Sequence, residues 1–146
     1  MKTVAQMLRA KPRQNVHTID VAAPMLEALR MMAELNIGAL PVTEGGHLVG
    51  IVSERDYARK GVLQGRSSVA TVVREFMTEP VLTVTSKQSI RECMSLMTEQ
   101  HMRHLPVVED GELVGLLSIG DLVKEAMAEQ DDLILHLEQY IRGEVA

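Results

Sequence analysis

Aromatic side chains are almost missing from this chain. They make up 2% of its 146 residues, with no Trp, one Phe and two Tyr. That scarcity argues against single-stranded nucleic acid as a partner, because such binding stacks bases on exposed rings. A net charge of −5 argues equally against a phosphate-backbone binder. A single cysteine, Cys93, rules out an internal disulfide and a thiol-rich metal site; its place on an apolar helical face marks it as a small core residue. The histidines lack metal spacing: His17, His47 and His136 are isolated, while His101 and His104 straddle a helix end, so no metal site is expected. No apolar run reaches the ~18 residues of a membrane span, and the first residues do not read as a signal peptide. Lys2, Arg9, Lys11 and Arg13 precede the first acid, Asp20, but Val4–Leu8 reads as a short docking helix rather than a targeting segment. The expected compartment is the cytoplasm, with no membrane partner.

What the chain does have is ordinary for a soluble domain: 46% hydrophobic and 24% charged residues. Ten methionines point to an adaptable aliphatic and thioether core. The length suffices for one compact domain, or for two small halves sharing a core.

The informative feature is a repeat. LPVVEDGELVGLLSIGD, Leu105 to Asp121, restates LPVTEGGHLVGIVSERD, Leu40 to Asp56. Pro41/Pro106, Gly50/Gly115, Ser53/Ser118 and Asp56/Asp121 are all 65 apart, and the register extends back through Glu34/Glu99, Met32/Met97, Thr18/Thr83 and Val16/Val81. Solenoids need at least three copies. Two copies imply a pseudo-symmetric pair that buries one unit against the other, with any ligand site occurring twice.

Taken in order, Thr3–Leu8 has helical apolar spacing, and VREFM, ending at Met77, is its counterpart before the second copy. The first of the two following linkers is longer and contains Lys11-Pro12-Arg13. Val16–Ile19 reads as a strand. Pro24 suits a first helical turn, and Met25, Leu26, Leu29, Met32 and Leu35 form an apolar stripe opposite Glu27, Arg30 and Glu34. Asn36 ends that helix. Ile37–Val42 reads as a strand whose Pro41 lies at an edge or turns its nitrogen to open space. Glu44-Gly45-Gly46-His47 is a hairpin turn, Leu48–Val52 a buried strand, and a helix runs from Ser53 through Lys60. Gly61–Ser68 reads as a flexible join. The second unit repeats this from Val81: strand, helix over Ser89–His101, strand with Pro106, turn at Asp110-Gly111, strand, and a helix from Gly120 to a stop at Gly143. The part of that helix beyond the repeat, with Leu133, Ile134, Leu137, Tyr140 and Ile141, either faces a partner or packs back on its own domain. The fold class is α+β, with residues 1–65 as the first β-α-β-β-α unit and its leading helix, 66–125 as the second, and 126–146 as a helical extension.

The duplicated LPVV-(E/D)-x-G-x-LVG-hhS-x-x-D pattern, each copy preceded by an apolar helix, resembles the CBS domain, the regulatory module named after cystathionine β-synthase. The resemblance covers about Val4 to Lys124 and is that of a stand-alone tandem pair. It implies two units packed sheet to sheet about a pseudo-twofold, leaving two clefts that in relatives bind AMP, ADP, ATP, NAD(H) or S-adenosylmethionine; NADH is thus among the candidate ligands. Homodimers of such pairs are common.

Matched to that pattern, Asp56 and Asp121 fall at the ribose-binding position, where one carboxylate can accept hydrogen bonds from both sugar hydroxyls. Such charge-assisted bonds are worth about 1.5–3 kcal/mol. Ser53 and Ser118 match the phosphate-binding hydroxyl, and Arg55 can add a forked phosphate contact. Ser-x-x-Asp also resembles a capping box, although that device prefers Glu or Gln at its far end; the two roles are compatible. Gly38 and Ala39 precede the first Leu-Pro, with room for an adenine ring. Arg103 and His104 precede the second and add basic groups. The resemblance thus implies non-equivalent clefts, one with better phosphate partners. Thr18-Ile19 and Thr83-Val84 match the segments that hold the base, and Pro41 and Pro106 lie in the adjoining strands.

Nothing pairs a nucleophile with a base, so the chain reads as a regulatory adenine-nucleotide module with no catalytic cofactor, acting by population shift on an interface, a homodimer or a regulated partner protein. The alternative is a ligand-free scaffold acting through its C-terminal helix.

Overall fold

The computed structural model describes residues 2–10 and 16–143; the Lys11-Pro12-Arg13 stretch of the first linker lies outside them. After helix α1 (Val4–Ala10), the first repeat comprises β1 (Ile19–Asp20), α2 (Met25–Leu35), β2 (Ala39–Glu44), β3 (His47–Ser53) and α3 (Glu54–Asp56), which continues as a π-helix over Tyr57–Val62. A 3-10 turn, Val73–Glu75, opens the second repeat, followed by α4 (Ile90–Gln100), β4 (His104–Glu109), β5 (Glu112–Ser118) and α5 (Ile119–Ile141).

The repeat is structural to the level of single irregularities. In both hairpins the pairing slips by one residue at the same place: Val42↔Gly50 is followed by Thr43↔Leu48, and Val107↔Gly115 by Val108↔Leu113. Val49 and Val114 are the extra residues of two matching bulges. The hairpin turns hold Gly45 and Gly46 at φ 58° and 83°, and Asp110 and Gly111 at φ 49° and 80°. Two successive positive φ values are what a two-residue hairpin needs to match strand twist. Asn36 and His101 each end a helix at φ 54°, a left-handed cap.

The first strand of each unit is shorter than the sequence suggests, and the prolines explain it. Val84 N–H donates to the Pro106 carbonyl (3.0 Å), and Val108 N–H donates to Val84 (2.9 Å). In such a parallel ladder the next bond toward the chain start would be donated by residue 106, which has no N–H. Pairing therefore stops at a lone Val84↔Val107 bridge. In the first unit it begins at Ile19↔Val42 rather than at Val16. Pro41 sits in a central strand, as the order β1-β2-β3 shows, yet lies before β1 joins it.

Each leading segment closes the core of the other repeat or of the repeat it leaves behind. Val4 and Met7 are buried in the second core with Val84, Ile90, Cys93, Met97, Leu105, Val107, Leu117 and Leu122. Val73, Phe76 and Met77 are buried in the first core with Ile19, Met25, Ala28, Met32, Leu40 and Val52. Helix α1 is tied down by Val4 N–H to Gln88 O (2.9 Å), Ala5 N–H to Ser86 O (2.9 Å) and a Lys2–Glu125 ion pair. So α1, placed by sequence with the first unit, packs in the second. The repeated glycine permits this approach: a Cβ on Gly50 would stand 2.7 Å from Met77 Sδ, and one on Gly115 would stand 2.8 Å from Leu8 Cδ2.

Two further expectations change. The buried face of α2 is Met25, Ala28 and Met32, with Leu35 exposed. Gly61 is not part of a loose join: it is buried in the π-helix, where a Cβ would meet the Tyr57 ring at 2.7 Å and Phe76 at 3.0 Å.

Removing α1's grip should therefore loosen the second repeat. Met7→Ala is expected to cost about 2–5 kcal/mol and to speed labelling of Cys93, which is fully buried and whose thiol burial pushes to a higher pKa. Unchanged Cys93 reactivity in the variant would contradict the crossed packing.

Candidate functional site

Where β3 turns into α3, Ser53 is still extended (φ −132°, ψ 165°) and its Oγ accepts from Asp56 N–H at 3.1 Å. The Asp56 carboxylate reaches back, Oδ2 accepting from Ser53 N–H and Ser53 Oγ–H at 2.9 Å each. Ser118 and Asp121 repeat the two backbone bonds at the start of α5, Asp121 Oδ2 accepting from Ser118 N–H and Ser118 Oγ from Asp121 N–H at 3.1 Å each. The duplicated acids are thus capping-box partners, with Asp in the place usually taken by Glu or Gln. At Asp56 the second oxygen, Oδ1, turns to Thr78 Oγ1 at 3.4 Å.

Capping does not fill the space beside it. A cleft of about 410 Å³ is lined by Gly38, Ala39, Ile51 and Ser53–Asp56 with Arg59 from the first repeat, by Thr78, and by Gln100–His104 from the second. That volume falls within the roughly 300–1,000 Å³ of small-molecule sites. The repeats meet here: a Cβ on Gly38 would lie 3.5 Å from His104 Cε1 and 3.7 Å from Glu54 Oε1.

Of the residues singled out in the sequence, the structure brings Gly38, Ala39, Ser53, Arg55, Asp56, Arg103 and His104 to this one cleft. Arg103 and His104 thereby join the Ser53/Asp56 side rather than serving a cleft of their own repeat. Ile19 and Val84 are core residues, and Thr18 and Thr83 are exposed ahead of them. Pro41 and Pro106 are buried in β2 and β4. None of these six lines the cleft, nor do Ser118 and Asp121. Glu54, Arg59, Thr78, Gln100 and Met102 were not singled out in the sequence, and His101 entered there only as a histidine at a helix end. Arg59 had a signal, since it follows Arg55 by one helical turn. Thr78 had none, because it arrives with the leading segment of the other repeat.

His104 lies in β4, half-buried at this junction. Burial holds its pKa below the ordinary value; the Asp121 carboxylate opposes that shift and Arg103 adds to it. The unfolded chain then takes up the proton first, near pH 6.5. The folded state keeps its full advantage above that pH and loses it as pH falls further. Wild-type protein should lose more of its urea midpoint between about pH 7.5 and 5.5 than His104→Gln does. Equal losses would exclude His104 as the cause.

Comparison with known proteins places these features. The CBS domain model matches residues 4–62 and 73–128. A mitochondrial CBS domain-containing protein of Arabidopsis thaliana, CBSX3, is 41% identical over an alignment of 122 residues that covers 80% of this chain and 59% of that protein. The chain therefore spans less than two thirds of that relative's length. A solved structure of a protein with CBS domains from Burkholderia ambifaria is 54% identical with a TM-score of 0.85, covering 88% of this chain and 96% of that one. The structure of CBSX2 in complex with AMP is 28% identical with a TM-score of 0.71, covering 88% and 98%. With two family matches over most of its length, laid on two copies of one bulged hairpin and one capped helix start, this chain belongs to the CBS domain family.

Proposed function

We propose that this chain is a regulatory module that binds an adenine nucleotide in the cleft shared by its repeats, and that it signals through a change in their interface or in a homodimer. The observation that carries this reading is the open cleft beside Asp56, built from both repeats. A ligand seated there touches both, so it favours whichever arrangement of the two fits it better. Asp56 Oδ1 faces the ribose, Arg55 and Arg103 the phosphate, and the small Gly38-Ala39 pair leaves space for the base. CBSX2, which shares the fold at 28% identity, is solved with AMP. The chain is read as regulatory rather than catalytic, with no resident cofactor.

A second reading, an interaction scaffold, is favoured by α5. Leu133, Ile134, Leu137, Tyr140 and Ile141 are 53–81% exposed, and a wider groove of about 890 Å³ lies between α4 and α5. That groove shares no residue with the Ser53–Asp56 cap.

Thermal denaturation against AMP, ADP, ATP, NADH and S-adenosylmethionine separates the readings. A specific ligand at a hundred times its Kd stabilises by about 2.7 kcal/mol. Replacing AMP by 2′-deoxy-AMP should weaken binding about tenfold, the loss of one hydrogen bond to a charged acceptor, and it leaves the cap untouched. No shift with any of the five compounds would favour the scaffold.

A further inference from the structure

Three arginines, Arg55, Arg59 and Arg103, line the same cleft. Arg55 and Arg59 stand four residues apart on one helical segment, so they share a face. Arg103 comes from the opposite repeat, just before β4. All three residues are exposed, and arginine keeps its charge at any physiological pH. Against them stand two carboxylates. Asp56 has one oxygen committed to the helix cap, and Glu54 turns toward Gly38 beside His104. The arginines thus outnumber the carboxylates of the cleft on a chain whose net charge is −5.

The pooling is one-sided. Sixty-five residues on, Arg55 and Arg59 become Gly120 and Lys124, and sixty-five residues before Arg103 stands Gly38. The substitutions that remove arginine from one side of the pseudo-symmetric pair coincide with those that supply it to the other. One forked guanidinium suffices to grip a single phosphate, while the Ser53 hydroxyl is engaged by Asp56 Oδ2. Two more arginines in the same cleft offer charge for further phosphates.

We propose that the cleft selects adenosine compounds carrying two or more linked phosphates over AMP, with Arg59 and Arg103 holding the outer phosphates. This rests on the adenine-nucleotide reading of the same cleft and adds its selectivity. The shared chemistry, an adenosine oligophosphate, is met by ADP, by ATP and by the internal diphosphate of NADH.

Calorimetric titration of the intact chain with AMP, ADP, ATP, NADH and inorganic tripolyphosphate, in EDTA, tests it. ADP or ATP should bind about tenfold or more tighter than AMP, and Arg59→Gln should remove about that factor for ATP while changing AMP affinity less than about threefold. Tripolyphosphate should compete with ATP in wild type and lose that competition in Arg59→Gln. NADH matching ADP would assign the selectivity to a diphosphate; NADH binding only as AMP does would assign it to a terminal phosphate. AMP binding as tightly as ATP, or equal losses for both in Arg59→Gln, would overturn this inference and leave the adenine-nucleotide reading standing. Absence of binding by every adenosine compound would overturn both.

Discussion

The fold depends on one close approach, made twice: a short leading segment pressed onto a hairpin where glycine leaves no side chain in the way. At Gly50 the visitor is Met77 and at Gly115 it is Leu8. A unit of about sixty residues buries too little apolar surface to be comfortable alone, and each hairpin here is completed by residues from outside its own β-α-β-β-α run. Closing the first core also shapes the cleft. Lys60 Nζ donates to the carbonyls of Phe76 (3.1 Å) and Met77 (3.3 Å), and the backbone of Thr78 pairs in both directions with Ile51. That sets the Thr78 hydroxyl beside Asp56. Core packing and cleft geometry are therefore the same event seen from two sides.

The crossing also bears on how such a chain arises. A single repeat preceded by its own leading segment has an uncovered hairpin and a segment with nowhere of its own to lie. Two copies that trade segments complete one another, which is the arrangement of a domain-swapped dimer. In this chain the two copies are fused, and the trade has become internal: α1 travels to the far repeat, while residues 73–77 stay with the near one.

Much of this was legible in the sequence because it is local. The matched Pro, Gly, Ser and Asp pairs carry turn, bulge and cap chemistry that acts within a few residues, so the hairpins and helix starts could be read directly. The length of β1 could not be, although its cause, Pro41, was in view: the missing donor matters only once a third strand is laid beside it. Nor could the destination of α1. Val4, Met7 and Leu8 announce an apolar face, but which core receives it is decided by chain path, about which spacing is silent. The cleft shows the same division. Ser53 and Asp56 were readable as a pair, whereas the company of Arg103 and His104 with them is a product of how the repeats meet. The exposed apolar residues of α5 were visible as a stripe, and they remain uncovered in the folded chain.

The reciprocal clasp of Ser53 and Asp56 has a consequence beyond ending a strand and starting a helix. A free aspartate samples several rotamers, and arresting such a side chain on association costs about 0.5–1.5 kcal/mol. Here the fold has already arrested it: one carboxylate oxygen is clamped by two donors from Ser53, which fixes the direction of the other. Any partner hydroxyl that reaches Asp56 Oδ1 meets an acceptor with little torsional freedom left to surrender. Rigidity acquired for the sake of the backbone becomes preorganisation for whatever the cleft receives.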